Sequence, residues 1–205
     1  MRLFPLLVRF ATGLMTKRSQ WSIIPIFILV AASSLAWSSP ARAEETVLKE
    51  FTVAGHGVLE FNAPGSWKMT IRPAQKDLPS TLEFTPAAGR EFLLMISPMT
   101  GPAGDKAFNS MERMRQLMEA EKKHLAPRAE EPALMIDSFG GPQAKGLFLV
   151  ASDKAPRPGE YKYLIRSCVA VGDLMLSVTF LSHRKESEAM EDALTLLRGV
   201  KIRPQ

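Results

Sequence analysis

The sequence predicts an α+β fold, an antiparallel β-sheet of about six to eight strands flanked by two main helices. Three observations predict it. Short segments with period-two alternation, separated by tight glycine and proline turns, fill most of the chain beyond residue 46. Only two stretches carry an apolar stripe at helical spacing. The order is strands, helix, strands, helix, and strands joined by short turns pair antiparallel.

Val47–Val53 and Val58–Phe61 read as strands joined through Gly55-His56-Gly57. Ala63-Pro64-Gly65-Ser66 is a turn, and Trp67–Arg72 then alternates with Trp67, Met69 and Ile71 on one face. After the loop Pro73–Pro79, Thr81–Thr85 and Glu91–Ser97 form a second pair around Ala87-Ala88-Gly89. Phe92, Leu94 and Ile96 point one way while Leu93 and Met95 point the other, which predicts a strand near the sheet centre covered on both faces.

Pro98–Gly104 breaks the alternation. Asp105 is the expected N-cap of a helix running to about Leu125, with Phe108, Met111, Met114, Leu117, Met118 and Leu125 as its buried stripe. Arg113, Arg115, Glu119, Lys122 and Lys123 form its wet side, and Pro127 stops it. Strands follow at Ala133–Phe139 and Ala144–Ala151, either side of Gly140-Gly141-Pro142. Beyond the polar loop Asp153–Gly159, Glu160–Val171 is a long alternating strand with Tyr161, Tyr163, Ile165, Val169 and Val171 on one face. Gly172-Asp173 is a two-residue hairpin turn, after which Leu174, Leu176, Val178 and Phe180 continue a core face. A closing helix is expected at about Lys185–Arg198, with Met190, Ala193, Leu194 and Leu197 as its stripe and Gly199 at C′. Val200-Lys201-Ile202 reads as a short last strand or a packed tail.

The N-terminal segment is read as an address. Trp21–Trp37 is an apolar run preceded by Lys17 and Arg18 and followed by Ser-Ser-Pro-Ala-Arg-Ala, Ser38 to Ala43. Positive flank, apolar core and small-x-small exit are the three parts of a secretory signal. Cleavage is expected between Ala43 and Glu44, giving residues 1–43 as signal peptide and 44–205 as one mature domain. The run is short for a membrane anchor and contains Pro25, and no cysteine stands near the cleavage point for lipid attachment. Met15 is the expected start, since Met-Thr-Lys-Arg-Ser-Gln before the apolar run is the more usual layout. The expected home is the periplasm, with no membrane span after cleavage.

The net charge of +5 belongs to that segment. Arg2, Arg9, Lys17, Arg18 and Arg42 lie in it without any acidic residue, and the remainder balances 21 basic against 21 acidic side chains. A neutral domain lacks the global field that favours polyanions, so no nucleic-acid partner is expected. The single cysteine, Cys168, reads as a buried strand residue rather than a reactive thiol.

No motif for chemistry stands out. His56, His124 and His183 share no i, i+4 or His-x-His spacing, and each reads as a solvated or capping residue. The nucleophile motif Gly-x-Ser-x-Gly and the glycine-rich phosphate and dinucleotide loops are absent, and Gly55-His56-Gly57 is only a turn. Glu44-Glu45 and Glu130-Glu131 fall in polar, exposed-looking stretches. Met111, Met114 and Met118, with Met95 and Met99, could bind copper(I) through thioethers, but a core-filling role is the plainer reading. The sequence therefore names no catalytic, cofactor or metal residue. The Pro- and Gly-rich loops Pro98–Gly104 and Ala155–Gly159 are the places where binding could reside, or simple connectors.

Phe51-x-x-x-Gly55-x-Gly57-x-Leu59-x-Phe61-x-x-Pro64-Gly65-x-Trp67 resembles the opening of PsbP-like (Mog-one/PsbP fold) domains, in the bacterial exported branch. The central helix after a Pro/Gly loop, the late Gly-Asp hairpin and the last helix running into Gly199-Val200-Lys201-Ile202 fit the same pattern. The resemblance implies an α/β/α sandwich and a non-catalytic binding or accessory role through protein–protein contact, with an envelope or membrane-associated protein as partner. A small apolar-ligand or lipid carrier is the alternative; a periplasmic enzyme or a copper-binding protein stands behind both.

Overall fold

Alternating side chains and short turns build ten strands and two helices, seen in a computed structural model that describes residues 45–204 except 77, 90 and 186. In chain order these are β1 (Thr46–Val53), β2 (Gly57–Pro64), β3 (Trp67–Arg72), β4 (Thr81–Pro86), β5 (Phe92–Met99) and α1 (Met111–Leu125). A 3-10 turn, Ala126–Arg128, follows, then β6 (Asp137–Gly140), β7 (Ala144–Ser152), β8 (Tyr163–Val171), β9 (Leu174–Ser182), α2 (Glu188–Gly199) and β10 (Lys201–Arg203). The expected cleavage site, Ala43 and Glu44, lies outside the described residues, as does the whole of 1–43.

All pairings are antiparallel. Seven strands form one sheet in the order β3-β4-β5-β9-β8-β7-β6, and β1-β2-β10 form a second of three. The α+β class and the helices on the two faces are as the sequence predicts. On one face, Leu94, Ile96, Ile165, Val169, Leu176, Val178 and Phe180 meet Leu59 and Phe61 of β2 and Ala193, Leu196 and Leu197 of α2. On the other, Leu147, Leu149, Cys168 and Met175 meet Met114 and Met118 of α1. Trp67 is wedged against Phe92 at 4.6 Å between ring centroids, continuing the first core to the β3 edge.

Several boundaries differ from the sequence reading. The first helix begins at Met111, because the Ser110 hydroxyl caps the Arg113 amide at 3.2 Å. Asp105 instead accepts from the Ala107 amide within a turn, 2.9 Å away. Residues 105–109 are drawn into tertiary contacts: Phe108 lies so close to Gly101 that a Cβ there would sit 2.6 Å from it, and the Asn109 side chain donates to the Gly172 and Leu174 carbonyls. Met111, placed in the buried stripe by its spacing, is 39% exposed in the first turn.

The strand expected at Ala133–Phe139 is only Asp137–Gly140. The residues before it bind the end of β7 instead, with the Glu130 amide donating to the Ser152 carbonyl at 2.8 Å. β5 runs on through Pro98, which lies past the part of the strand paired by β4. The closing helix starts three residues later than expected, and Gly199 is its last helical residue rather than C′. The tail after it is a true strand, with Ile202 opposite Leu59.

Candidate functional site

One face of the large sheet is open. α1 packs chiefly on β7 and β8 and reaches Met175 of β9 and Met99 at the end of β5, so β5, predicted to be covered on both sides, has one dry face and one half-buried face. The period-two pattern is plain: in β5, Phe92, Leu94, Ile96 and Pro98 are buried while Leu93, Met95, Ser97 and Met99 are half-buried. β4 and β9 repeat it, with Thr81, Glu83, Thr85, Ser177, Thr179 and Leu181 half-buried. An antiparallel sheet tolerates one wet face, which is why no second helix is required here.

The register lays this face out in rows. Met95, Thr179, Arg166 and Leu149 follow one another across β5, β9, β8 and β7, and so do Leu93, Leu181, Leu164 and Ala151. Polar groups on the face satisfy each other. Arg72 binds Glu83, Arg166 binds Thr179 and also reaches Glu121 of α1 at 3.3 Å, and the Thr81 and Ser97 hydroxyls lie 2.7 Å apart. What is left for a partner is Leu93, Met95 and Leu181, framed by hydroxyls and paired charges.

At the end of the last row lies a cleft of about 440 Å³. Leu125 from the end of α1, Ala129, Ala151, Leu164 and Leu181 give it an apolar floor, and Gly159 to Lys162 form a wall. Two ion pairs stand at it: Arg128 with Asp153 at 2.9 Å, and Lys162 with Glu130 at 2.9 Å. The Ala155 amide, foremost, together with Arg128, holds Asp153 below the usual carboxylate range. The bond to Glu130 raises Lys162 above the ordinary lysine value.

Glu131, read as exposed, closes the edge of β7. Its carboxylate accepts from the Ser152 amide at 2.9 Å and from the Ser152 hydroxyl at 2.7 Å. Burial pushes this carboxyl upward, yet the two Ser152 bonds, helped by Lys185, outweigh it and hold the group below its ordinary value.

The structure keeps the histidines apart. His56 meets Asp173 at 2.7 Å, linking two hairpin turns; His124 lies in the last turn of α1; His183 stacks on Tyr161 with ring centroids 4.4 Å apart. Among the described residues no group of three or more His, Cys, Asp or Glu is placed to hold a metal ion. Met99, Met114, Met118 and Met175 lie with Cys168 in the core beneath α1, while Met95 is on the open face. Burial pushes the Cys168 thiol up to about 11.

Sequence reasoning missed the cleft because residues 125–129, 151–164 and 181 reach it from separate stretches of the chain. The one usable signal was the Ala155–Gly159 loop, which borders it.

No family model and no curated protein matches the chain. Among solved structures, the chain is similar to the cyanobacterial PsbP (CyanoP) of Synechocystis sp. PCC 6803, with a TM-score of 0.46 and 12% identity over 81% of this chain and 98% of that one. It is also similar to a protein of Bacteroides thetaiotaomicron VPI-5482, with a TM-score of 0.46 and 14% identity over 72% of this chain. The chain spans only 46% of that protein's length. Both are likenesses of fold, and no role, partner or site residue is carried across from either. Among the described residues no helix is long and apolar enough to cross a membrane.

Proposed function

We infer that the chain is an exported, non-catalytic binding or accessory protein that acts by contact with an envelope or membrane-associated protein. The observation behind this reading is the half-buried sheet face beside α1, where Leu93, Met95 and Leu181 stand beside the Thr81–Ser97 and Arg166–Glu121 pairs. Such a surface offers apolar area to a partner, and the charges of Glu83 and Arg166 on it are already paired with Arg72 and Glu121. Export rests on the charged, apolar and small-residue segments before Glu44.

A photoreactive amino acid at Met95, with a control at the exposed Leu48 of β1, tests the contact. One recurrent, identified envelope protein is expected from Met95 and not from Leu48; the same mixture from both positions would refute it. N-terminal sequencing of protein recovered from the envelope is expected to begin at Glu44. Recovery only of chains retaining Trp21–Trp37 would remove the exported mature form.

A second reading, a carrier of a small apolar ligand, is favoured by the cleft floored by Leu125, Leu164 and Leu181. Its volume of about 440 Å³ falls in the range of roughly 300–1,000 Å³ common to small-molecule sites.

A further inference from the structure

The cleft opens beside a polar shelf. A second depression, of about 610 Å³, shares Arg128, Asp153 and Glu160 with the cleft and adds Lys154 and Arg157. The two acids there are already engaged. Asp153 accepts from Arg128 and from the Ala155 amide, and Glu160 accepts from the Arg157 backbone amide at 3.0 Å. The two added cations are not: neither side chain forms an ion pair among the described residues, and the only side-chain bond of Lys154 is a long one, 3.5 Å, to the Pro127 carbonyl. An apolar chamber therefore ends at a shelf with two uncommitted positive charges.

The geometry points to a single-chain anionic amphiphile as the ligand, its hydrocarbon chain on Leu125, Leu164 and Leu181 and its carboxylate between Lys154 and Arg157. This rests on the carrier reading and adds the head group to it. The chain gains by leaving water, and the head keeps its charge by exchanging hydration for two charge-assisted hydrogen bonds. A cationic head meets like charge at Lys154 and Arg157, and a neutral one gains no ion pair from either.

The test is titration calorimetry of the purified protein, in the form the cell accumulates, with dodecanoate and with dodecyltrimethylammonium, both below their micelle concentrations. Saturable one-to-one binding of dodecanoate is expected, at least about tenfold tighter than the cationic probe, the worth of one charge-assisted bond. The double reversal Lys154→Glu with Arg157→Glu, on solvent-exposed positions that leave the core alone, is expected to invert that order. Leu164→Asn is expected to weaken both probes. Equal binding of the two probes overturns the anionic head and leaves an apolar carrier standing. Absence of binding by either probe overturns both ideas. Binding that none of these substitutions alters places the ligand elsewhere and also overturns the proposal.

Discussion

Replacing Glu131 by alanine isolates one buried contact whose worth follows from the geometry. Ser152 is 2% exposed, and both its amide and its hydroxyl end on this carboxylate, at 2.9 and 2.7 Å. The hydroxyl can rotate toward another acceptor; the amide cannot. A buried donor that loses its acceptor costs about 1–3 kcal/mol, and a bond to a charged group lies in the upper half of that range. The expected loss for Glu131→Ala is therefore about 2–3 kcal/mol at neutral pH, or roughly 4–12 °C in Tm for a domain of this size. Urea unfolding should show a lower midpoint at unchanged slope, because the contact adds little to the surface exposed on unfolding. The dependence on pH carries a sign. The folded carboxyl is held below its unfolded value, so its contribution is complete above the ordinary glutamate value of about 4.3 and is lost as pH falls through the lower folded value. Wild type and variant should converge in strongly acidic buffer. Equal midpoints at pH 7, or a gap that stays constant into acid, would refute the reasoning.

Three further outcomes follow from the same structure. A Cβ on Gly141 would lie 1.8 Å from the Arg198 carbonyl oxygen, while one on Gly140 meets nothing within 4 Å. Gly141→Ala should cost more than about 3 kcal/mol or abolish soluble expression, and Gly140→Ala should stay within about 1 kcal/mol by chemical denaturation. Cys168, 8% exposed with its thiol pushed up to about 11, should react with a disulfide reagent at pH 8 far more slowly in the native state than in urea. Ser110→Ala should remove about 1 kcal/mol through loss of the helix cap, and Asp105→Ala clearly less, as measured by thermal melting; the reverse order would return the helix start to Asp105.

Those positions also show what could be read from the chain. Strand positions were legible wherever alternation and a glycine turn coincided, as at Gly55-His56-Gly57 and Gly172-Asp173, because both signals are local. The start of α1 was not, since Asp105 and Ser110 are both competent caps and the choice is made by Asn109 and Phe108 docking on distant residues. Apolar residues on both faces of β5 said that each side is partly buried; they could not say that α1 would lie mainly over β7 and β8 and leave Met95 half-covered. Glu131 looked like a solvated charge because its acceptor role depends on Ser152, 21 residues on. The cleft depends on three such long-range meetings, and periodicity carries no information about them.

The position of β2 has a kinetic consequence. One of its neighbours, β1, precedes it directly, whereas the other, β10, arrives so late that Glu60 waits for Arg203 across 143 residues. Closing so long a loop is slow. During synthesis one rim of β2 stays bare from the emergence of Phe61 until Ile202 follows, and bare rims recruit strands from other molecules. Newly made chains are thus exposed to entanglement with their siblings until the last few residues zip home, which sets the interval over which a holding factor would be useful.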